Sequence, residues 1–217
     1  MIKPVTSIKQ IAFLAVFLLG SASAQAQSQE EIKPDKQIKG GLVGSRLINT
    51  EWESSPAPGF AIGLSLDFRF TRLFSVQPEV LYVEKGSRER VQVSSLDTEF
   101  NLVLDYVEVP VLAKFHLPAD GLLLPHVYIG PYASFLIENN SNTEIFENEQ
   151  QTPDELIGEA RDSDFGIVAG IGTDLDFRFN TVSAEIRYSA GFTDVFGGAA
   201  PQPARNGTVM LLIGFQF

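Results

Sequence analysis

The fold class predicted by the sequence is all-β: an eight-stranded antiparallel up-and-down transmembrane β-barrel with short periplasmic turns and long extracellular loops. Three observations predict it. Segments of about a dozen residues alternate apolar with small or polar side chains, the period of a half-buried strand. The connections between them alternate short and long, as in outer-membrane barrels. The apolar face holds most of the 17 Phe, more bulk than the interior of an eight-stranded barrel can accept.

The first 26 residues read as a signal peptide. Lys3 and Lys9 form a basic start and Ile11 to Leu19 a short apolar run. Ala22-Ser23-Ala24 and Ala24-Gln25-Ala26 offer small residues for cleavage, which is expected near Ala26. Residues 27–37 are polar without periodicity and are expected to form a flexible leader. Residues 38–217 are expected to form the barrel domain.

The first strand, Ile38 to Ile48, has three Gly that blur its facing. A polar loop with Pro56 and Pro58 is expected from Asn49 to Pro58. In Gly59 to Phe70, the residues Phe60, Ile62, Leu64, Leu66, Phe68 and Phe70 share one face. A turn at Thr71 to Leu73 leads to Phe74 to Lys85. The long segment Gly86 to Asn101 follows, and Val91 and Val93 within it suggest that the hairpin extends beyond the bilayer. The fourth strand runs from Leu102 to His116. The compact Leu117 to Pro125 connection contains the turn dipeptide Asp120-Gly121. His126 to Ile137 is the fifth strand. Glu138 to Asp162, rich in Asn, Glu and Asp, is expected to be a mobile loop. Ser163 to Phe179, Val182 to Phe192 and Gly207 to Phe217 complete the eight.

Aromatic residues fall at the two ends of these strands. Phe68, Phe70, Phe74, Phe115, Phe177, Phe215 and Phe217 lie toward the short turns. Phe60, Tyr82, Phe135, Phe165 and Phe192 lie toward the long loops. Two aromatic girdles around an aliphatic band are what a bilayer selects.

The opposite face, predicted to point inward, carries Asp67, Arg69, Glu79, Lys85, Glu108, Lys114, Asp174, Asp176, Arg178, Glu185 and Arg187. Buried charges of both signs must pair. A structural ion-pair network filling the barrel is expected, with Glu79, Glu108, Lys114, Glu185 and Arg187 in one connected group. The last strand has no charge on its polar face, so the network is expected to lie mainly on the other side of the barrel.

The net charge of −11 argues against nucleic-acid binding. With no Cys, disulfides and thiolate metal sites are excluded. The two His, His116 and His126, fall at the short-turn end, away from where outer-membrane surface enzymes act. They are expected to pack at the interface or turn. The carboxylates between Glu138 and Asp164 read as a solvated loop, with bridging of Ca²⁺ or Mg²⁺ to lipid heads as the alternative. No catalytic residue, metal ligand or cofactor is therefore predicted.

Several stretches together resemble the PorT-like outer-membrane β-barrel family of Bacteroidetes-type, Gram-negative bacteria. They are Ser75-Val76-Gln77-Pro78-Glu79-Val80-Leu81-Tyr82 with Lys85-Gly86, Tyr106-Val107-Glu108-Val109-Pro110-Val111-Leu112-Ala113-Lys114, Tyr128-Ile129-Gly130-Pro131-Tyr132, and Glu185-Ile186-Arg187-Tyr188-Ser189-Ala190-Gly191. The resemblance covers the chain from about Ile38. It implies a small outer-membrane barrel, often labelled porin-like, with no catalytic residues. One branch of the family is associated with gliding and type IX secretion.

The expected function is non-enzymatic: a monomeric barrel, structural or partner-binding through its extracellular loops, with membrane lipids and the outer-membrane assembly machinery as its other partners. A narrow channel for ions or small solutes is the alternative, and a lipid-active enzyme a further one. Phe215 and Phe217 join the periplasmic girdle, and a terminal Phe resembles the signal that barrel assembly machinery reads. Phe217→Asp should therefore reduce the amount of barrel in the outer membrane, measured by fractionation and heat-modifiable gel mobility. Normal insertion of that variant would count against the assembly role.

Overall fold

Period-2 alternation gives every segment one lipid-compatible face and one small or polar face, and edge-to-edge pairing then decides which face turns inward. The computed structural model describes residues 33–48, 53–93, 96–119, 121–139, 142–144, 159–177, 180–197 and 204–217. The predicted signal peptide, Met1 to Ala26, and residues 27–32 lie outside them.

Eight long strands form the wall: β1 (Asp35–Ile48), β2 (Glu53–Arg69), β3 (Phe74–Val93), β4 (Leu96–His116), β5 (Leu123–Asn139), β8 (Ser163–Asp176), β9 (Thr181–Gly191) and β11 (Arg205–Gln216). Three short ones, β6 (Asn142–Glu144), β7 (Glu159–Ala160) and β10 (Phe196–Gly197), belong to the connections. Around the wall the order is β3-β2-β1-β11-β9-β8-β5-β4, and β4 pairs back onto β3. Every pairing is antiparallel, and no helix occurs among the described residues. The predicted eight-stranded closed barrel is thus the observed one.

Closure runs through β1 and β11, in register from Gln37 opposite Gln216 to Ile48 opposite Arg205. Phe217 adds one more rung, its N–H donating to the Lys36 carbonyl at 2.9 Å.

The structure departs from the sequence reading at several strand ends. β1 begins at Asp35, inside the stretch expected to be a leader. β2 begins at Glu53 and takes in most of the expected Asn49 to Pro58 loop, including both prolines. Proline lacks an N–H and is tolerated in a strand where the ladder is interrupted; here the β2–β3 register shifts between Pro56 and Ala61. β3 and β4 continue as one ladder out to Val93 opposite Leu96, so most of the segment expected to be a long connection is hairpin. On the outer edge of that hairpin β6 pairs with Glu99 to Asn101. Residues 145–158 of the expected mobile loop lie outside the described residues. Gly121 has φ 115°, which fits the predicted turn, while Asp120 lies outside the description.

The apolar face points outward. Leu42, Phe60, Ile62, Leu64, Ile129, Ile167, Ile171, Ile186, Leu211 and Ile213 are all exposed around the wall. Both girdles include neighbouring rings: Phe60 and Tyr82 have centroids 5.4 Å apart at the loop end, as do Phe74 and Phe115 at the turn end. Phe215 and Phe217 are 55 % and 75 % exposed at the turn end. On β1, whose facing the sequence left open, Ile38 and Leu42 point out while Gln37, Lys39, Val43 and Ser45 point in. Lys36 and Arg46 are exposed at the two ends of that outer face.

Leu211 lies midway along β11, so Leu211→Arg should destabilise the barrel by about 2–4 kcal/mol. Equilibrium refolding into lipid vesicles checks this, and a change below about 0.5 kcal/mol would contradict a lipid-facing position.

Candidate functional site

Inward alternation from all eight strands fills the barrel with polar side chains, and the largest fully buried ones are Arg187, Tyr106, Lys39, Lys85 and Lys114. Space for them comes from small residues opposite. Three glycines of β8 stand directly across from three rings of β5: Gly166 from Tyr132, Gly170 from Tyr128 and Gly172 from His126. A Cβ on any of them would lie within 2.6 Å of the facing ring or its hydroxyl.

The centre of the interior is a four-charge cluster that is neutral as a whole. Arg187 Nη1 donates to Glu79 Oε2 at 2.7 Å, and Nη2 to Glu185 Oε2 at 2.6 Å. Lys39 Nζ donates to Glu79 Oε1 at 2.8 Å and to Glu185 Oε1 at 2.5 Å. Each carboxylate therefore accepts from both cations. Tyr128 extends the cluster, accepting from Arg187 Nε at 3.2 Å and donating to Glu185 Oε2 at 3.1 Å. Gln77 Nε2 donates to Glu79 Oε1 at 2.6 Å. Full pairing of this kind is what makes buried ions tolerable.

Toward the periplasmic turns, Lys114 Nζ reaches Asp67 at 3.3 Å and Asp174 at 3.4 Å, and it contacts Gln77 Oε1 at 3.4 Å. Through Gln77 it joins the central cluster.

Toward the loops the pairing is separate. Lys85 Nζ lies 2.6 Å from Glu108 Oε2, and Ser134 Oγ donates to the same oxygen at 3.0 Å. Lys85 also lies over the rings of Tyr106 and Tyr132, at 5.2 and 4.9 Å from their centroids. Tyr132 in turn donates to Asp164 Oδ2 at 3.1 Å, as does Asn206 Nδ2. Buried apolar residues, Leu81, Leu112, Val168 and Met210, lie in the interior with these groups.

Of the predicted interior residues, Asp67, Glu79, Lys85, Glu108, Lys114, Asp174, Glu185 and Arg187 are all buried inside the barrel. Three expectations need correction. Glu108 belongs to the loop-side group with Lys85, not to the group of Glu79, Glu185 and Arg187. Arg69 and Asp176 are exposed, because each lies at the last turn-side position of its strand. The network is not confined to the side away from β11: Lys39 on β1 reaches Glu185 on β9 directly over β11. Gly214 makes that crossing possible, since a Cβ there would lie 3.2 Å from Lys39 Cγ and 2.3 Å from Ser183 Oγ. Arg178 lies outside the described residues.

Sequence reasoning missed Lys39, because strand one gave no clear facing. Alternation with Gln37 and Ser45, both buried, was the available signal. It also misplaced the two His. Neither packs on the outside: His126 is 1 % exposed and His116 9 %, and their rings are 6.1 Å apart inside the turn-side end. Ser75 Oγ lies 3.0 Å from His116 Nε2, the spacing of a hydrolytic Ser–His pair. Ser75 is wholly buried, however, so no substrate acyl group reaches it. His116, His126 and Asp174 offer three ligand atoms within 4.8 Å of one another, the one group among the described residues that could hold a metal ion.

The family model described as "Outer membrane protein beta-barrel domain" matches residues 25–197. The chain belongs to this family. Its location is accordingly the outer membrane. Among solved structures the chain is similar to the outer membrane protein OprG from Pseudomonas aeruginosa, at 11 % identity and TM-score 0.52, with 88 % of this chain and 99 % of that one covered. It is also similar to the attachment invasion locus protein Ail of Yersinia pestis, at 15 % identity and TM-score 0.46, covering 85 % and 99 %. Outer Membrane Protein W of E. coli gives 13 % identity and TM-score 0.45, covering 87 % and 100 %. Comparison with curated protein sequences finds no significant match.

Arg187→Ala removes one partner of a buried cluster and should cost about 3–5 kcal/mol, measured by urea titration of the folded barrel in micelles. Glu108→Gln combined with it should be additive within about 0.5 kcal/mol. Coupling well above that would mean the two groups are one network.

Proposed function

We propose that this protein is a non-conducting, non-enzymatic outer-membrane barrel that stabilises the envelope or binds a partner at its long-loop end. One observation carries the reading. Every wall strand contributes a side chain sealed from water: Lys39, Ser65, Glu79, Leu112, Tyr128, Val168, Arg187 and Leu212, none more than 3 % exposed. A hydrated conduit would leave such lining residues wet. The ion pairs that seal the centre are the short, charge-assisted kind, and they cancel within one neutral cluster.

Activity at the loop end is favoured by the backbone. β2, β3, β4 and β6 continue as a sheet past the last β4–β5 pair, Leu104 opposite Asn139. That sheet offers a surface beyond the bilayer. A PorT-like assignment within the family rests on the motifs quoted above: their Glu79, Glu108, Lys114, Glu185 and Arg187 all face the interior. Export by a signal peptide cleaved near Ala26, a monomeric state and contact with the assembly machinery belong to the same reading.

Purified protein in planar bilayers should give no stable conductance steps, and large steady conductance would sink the proposal. Truncation between Glu138 and Asp162 should leave the conductance nil. A rise would make that loop a plug and favour a channel. Altered lipids in a deletion strain would favour the enzyme reading.

A further inference from the structure

The turn-side end of the barrel holds two imidazoles that the ion-pair network does not use, beside a carboxylate, Asp174, at the network's edge. His116 ends β4 and His126 lies directly opposite it near the start of β5. On β8, Gly172 is the partner of His126, and Asp174 lies two residues further along, on the same inner face. Cross-strand and diagonal neighbours of this kind have their side chains within mutual reach. Three adjacent strands thus bring two imidazoles and a carboxylate together, with their ligand atoms within 4.8 Å of one another.

The second observation is that His126 has no use for its polarity in the network. It is 1 % exposed, yet neither ring nitrogen has a hydrogen-bond partner. Asp174 comes near it, with Oδ2 at 3.6 Å from Nδ1, too long for a hydrogen bond. Asp174 Oδ1 is also buried without a partner. Buried polar atoms are rarely left unpaired, and a missing ion is one standard reason. Gly172 is the residue that lets the ring lie there, since a Cβ would come 2.5 Å from His126 Nε2.

We propose that His116, His126 and Asp174 form a binding site for a divalent transition-metal ion of the zinc class, entered from the periplasmic end. Two imidazoles and one carboxylate are a ligand set for Zn²⁺, Co²⁺ or Ni²⁺, whereas Ca²⁺ and Mg²⁺ take oxygen ligands. In a tetrahedral site the ligand atoms stand roughly 3.3 Å apart, which small side-chain rotations reach from the present spacing. Ser75, 3.0 Å from His116 Nε2, orients that ring. His116, 9 % exposed, is the most accessible of the three ligands and marks the route of entry.

The ammonium of Lys114 opposes the ion. Lys114 Nζ lies 3.4 Å from the Asp174 oxygen that faces His126. On metal binding the ammonium keeps Asp67, at 3.3 Å, and Gln77, at 3.4 Å. The bound ion would then tie β4, β5 and β8 together at the turn end.

The test uses the full barrel without a polyhistidine tag, refolded in micelles and checked by heat-modifiable mobility. Co²⁺ is titrated by its visible d–d absorption, and Zn²⁺ is added in competition. A saturable tetrahedral spectrum displaced by Zn²⁺ and untouched by Mg²⁺ is expected. His126→Phe and Asp174→Asn should each weaken binding by about 100-fold or more. Lys114→Gln keeps all three ligands and should tighten it roughly tenfold by removing the competing charge. Absence of a saturable spectrum, unchanged affinity in folded His126→Phe, or unchanged or weaker affinity in Lys114→Gln would each overturn the site.

Discussion

Backbone hydrogen bonding is the constraint on which everything else in this molecule depends. Inside a bilayer an unpaired N–H or C=O has no water to turn to, so a sheet there must have no edge. The twelve-rung ladder between β1 and β11 removes the last edge. Once the sheet is closed, each strand can show only one face to lipid. That face takes the Leu, Ile and Phe, and every other residue is committed to a narrow interior. Closure thereby dictates the chemistry inside: the small and polar residues on the remaining face must fill a space of fixed width and satisfy each other.

The interior meets that demand by pairing bulk with absence. Rings on β5 lie over glycines on β8, and Lys39 passes over Gly214 on β11. Charge is handled likewise. The central cluster cancels to zero through shared carboxylates, and Lys85 with Glu108 cancels separately. Neither is a cheap way to fill space, because desolvating each ion costs several kcal/mol before pairing recovers it. What such pairing offers over an oily core is directionality. Arg187 can meet Glu79 and Glu185 together only when β3 and β9 stand at one relative height, so the cluster penalises slipped registers.

Much of this was legible from the chain. Phe60 to Phe70 announce a strand and its outer face, the bulk of that face excludes an apolar interior, and short turns after strands two, four and six set the order. What was not legible depends on shear, the stagger between strands. Alternation says that Glu108 and Glu79 both point inward, but not that they belong to different ion-pair groups. Lys39 was hidden because Gly40, Gly41 and Gly44 leave its strand without a clear apolar face. The meeting of His126 with Asp174 was equally hidden, since 48 residues separate them and only the β5–β8 register brings them together. Pro56 and Pro58 misled in the other direction, because a local bulge absorbs a residue that a regular ladder would reject.

The two exposed cations on the outer face of β1 serve as a ruler. Lys36 and Arg46 are ten residues apart, with only Ile38, Gly40, Leu42 and Gly44 facing outward between them. At about 3.4 Å per residue that is roughly 34 Å along the strand. A tilt of about 40° brings it to roughly 26 Å of vertical height, the thickness of the hydrocarbon band around an outer-membrane barrel. Long cationic side chains at such positions reach toward head groups while their stems stay in the apolar layer. β1 therefore registers the molecule vertically in its membrane. The sheet of β2, β3, β4 and β6 beyond Asn139 stands on the loop side of that band.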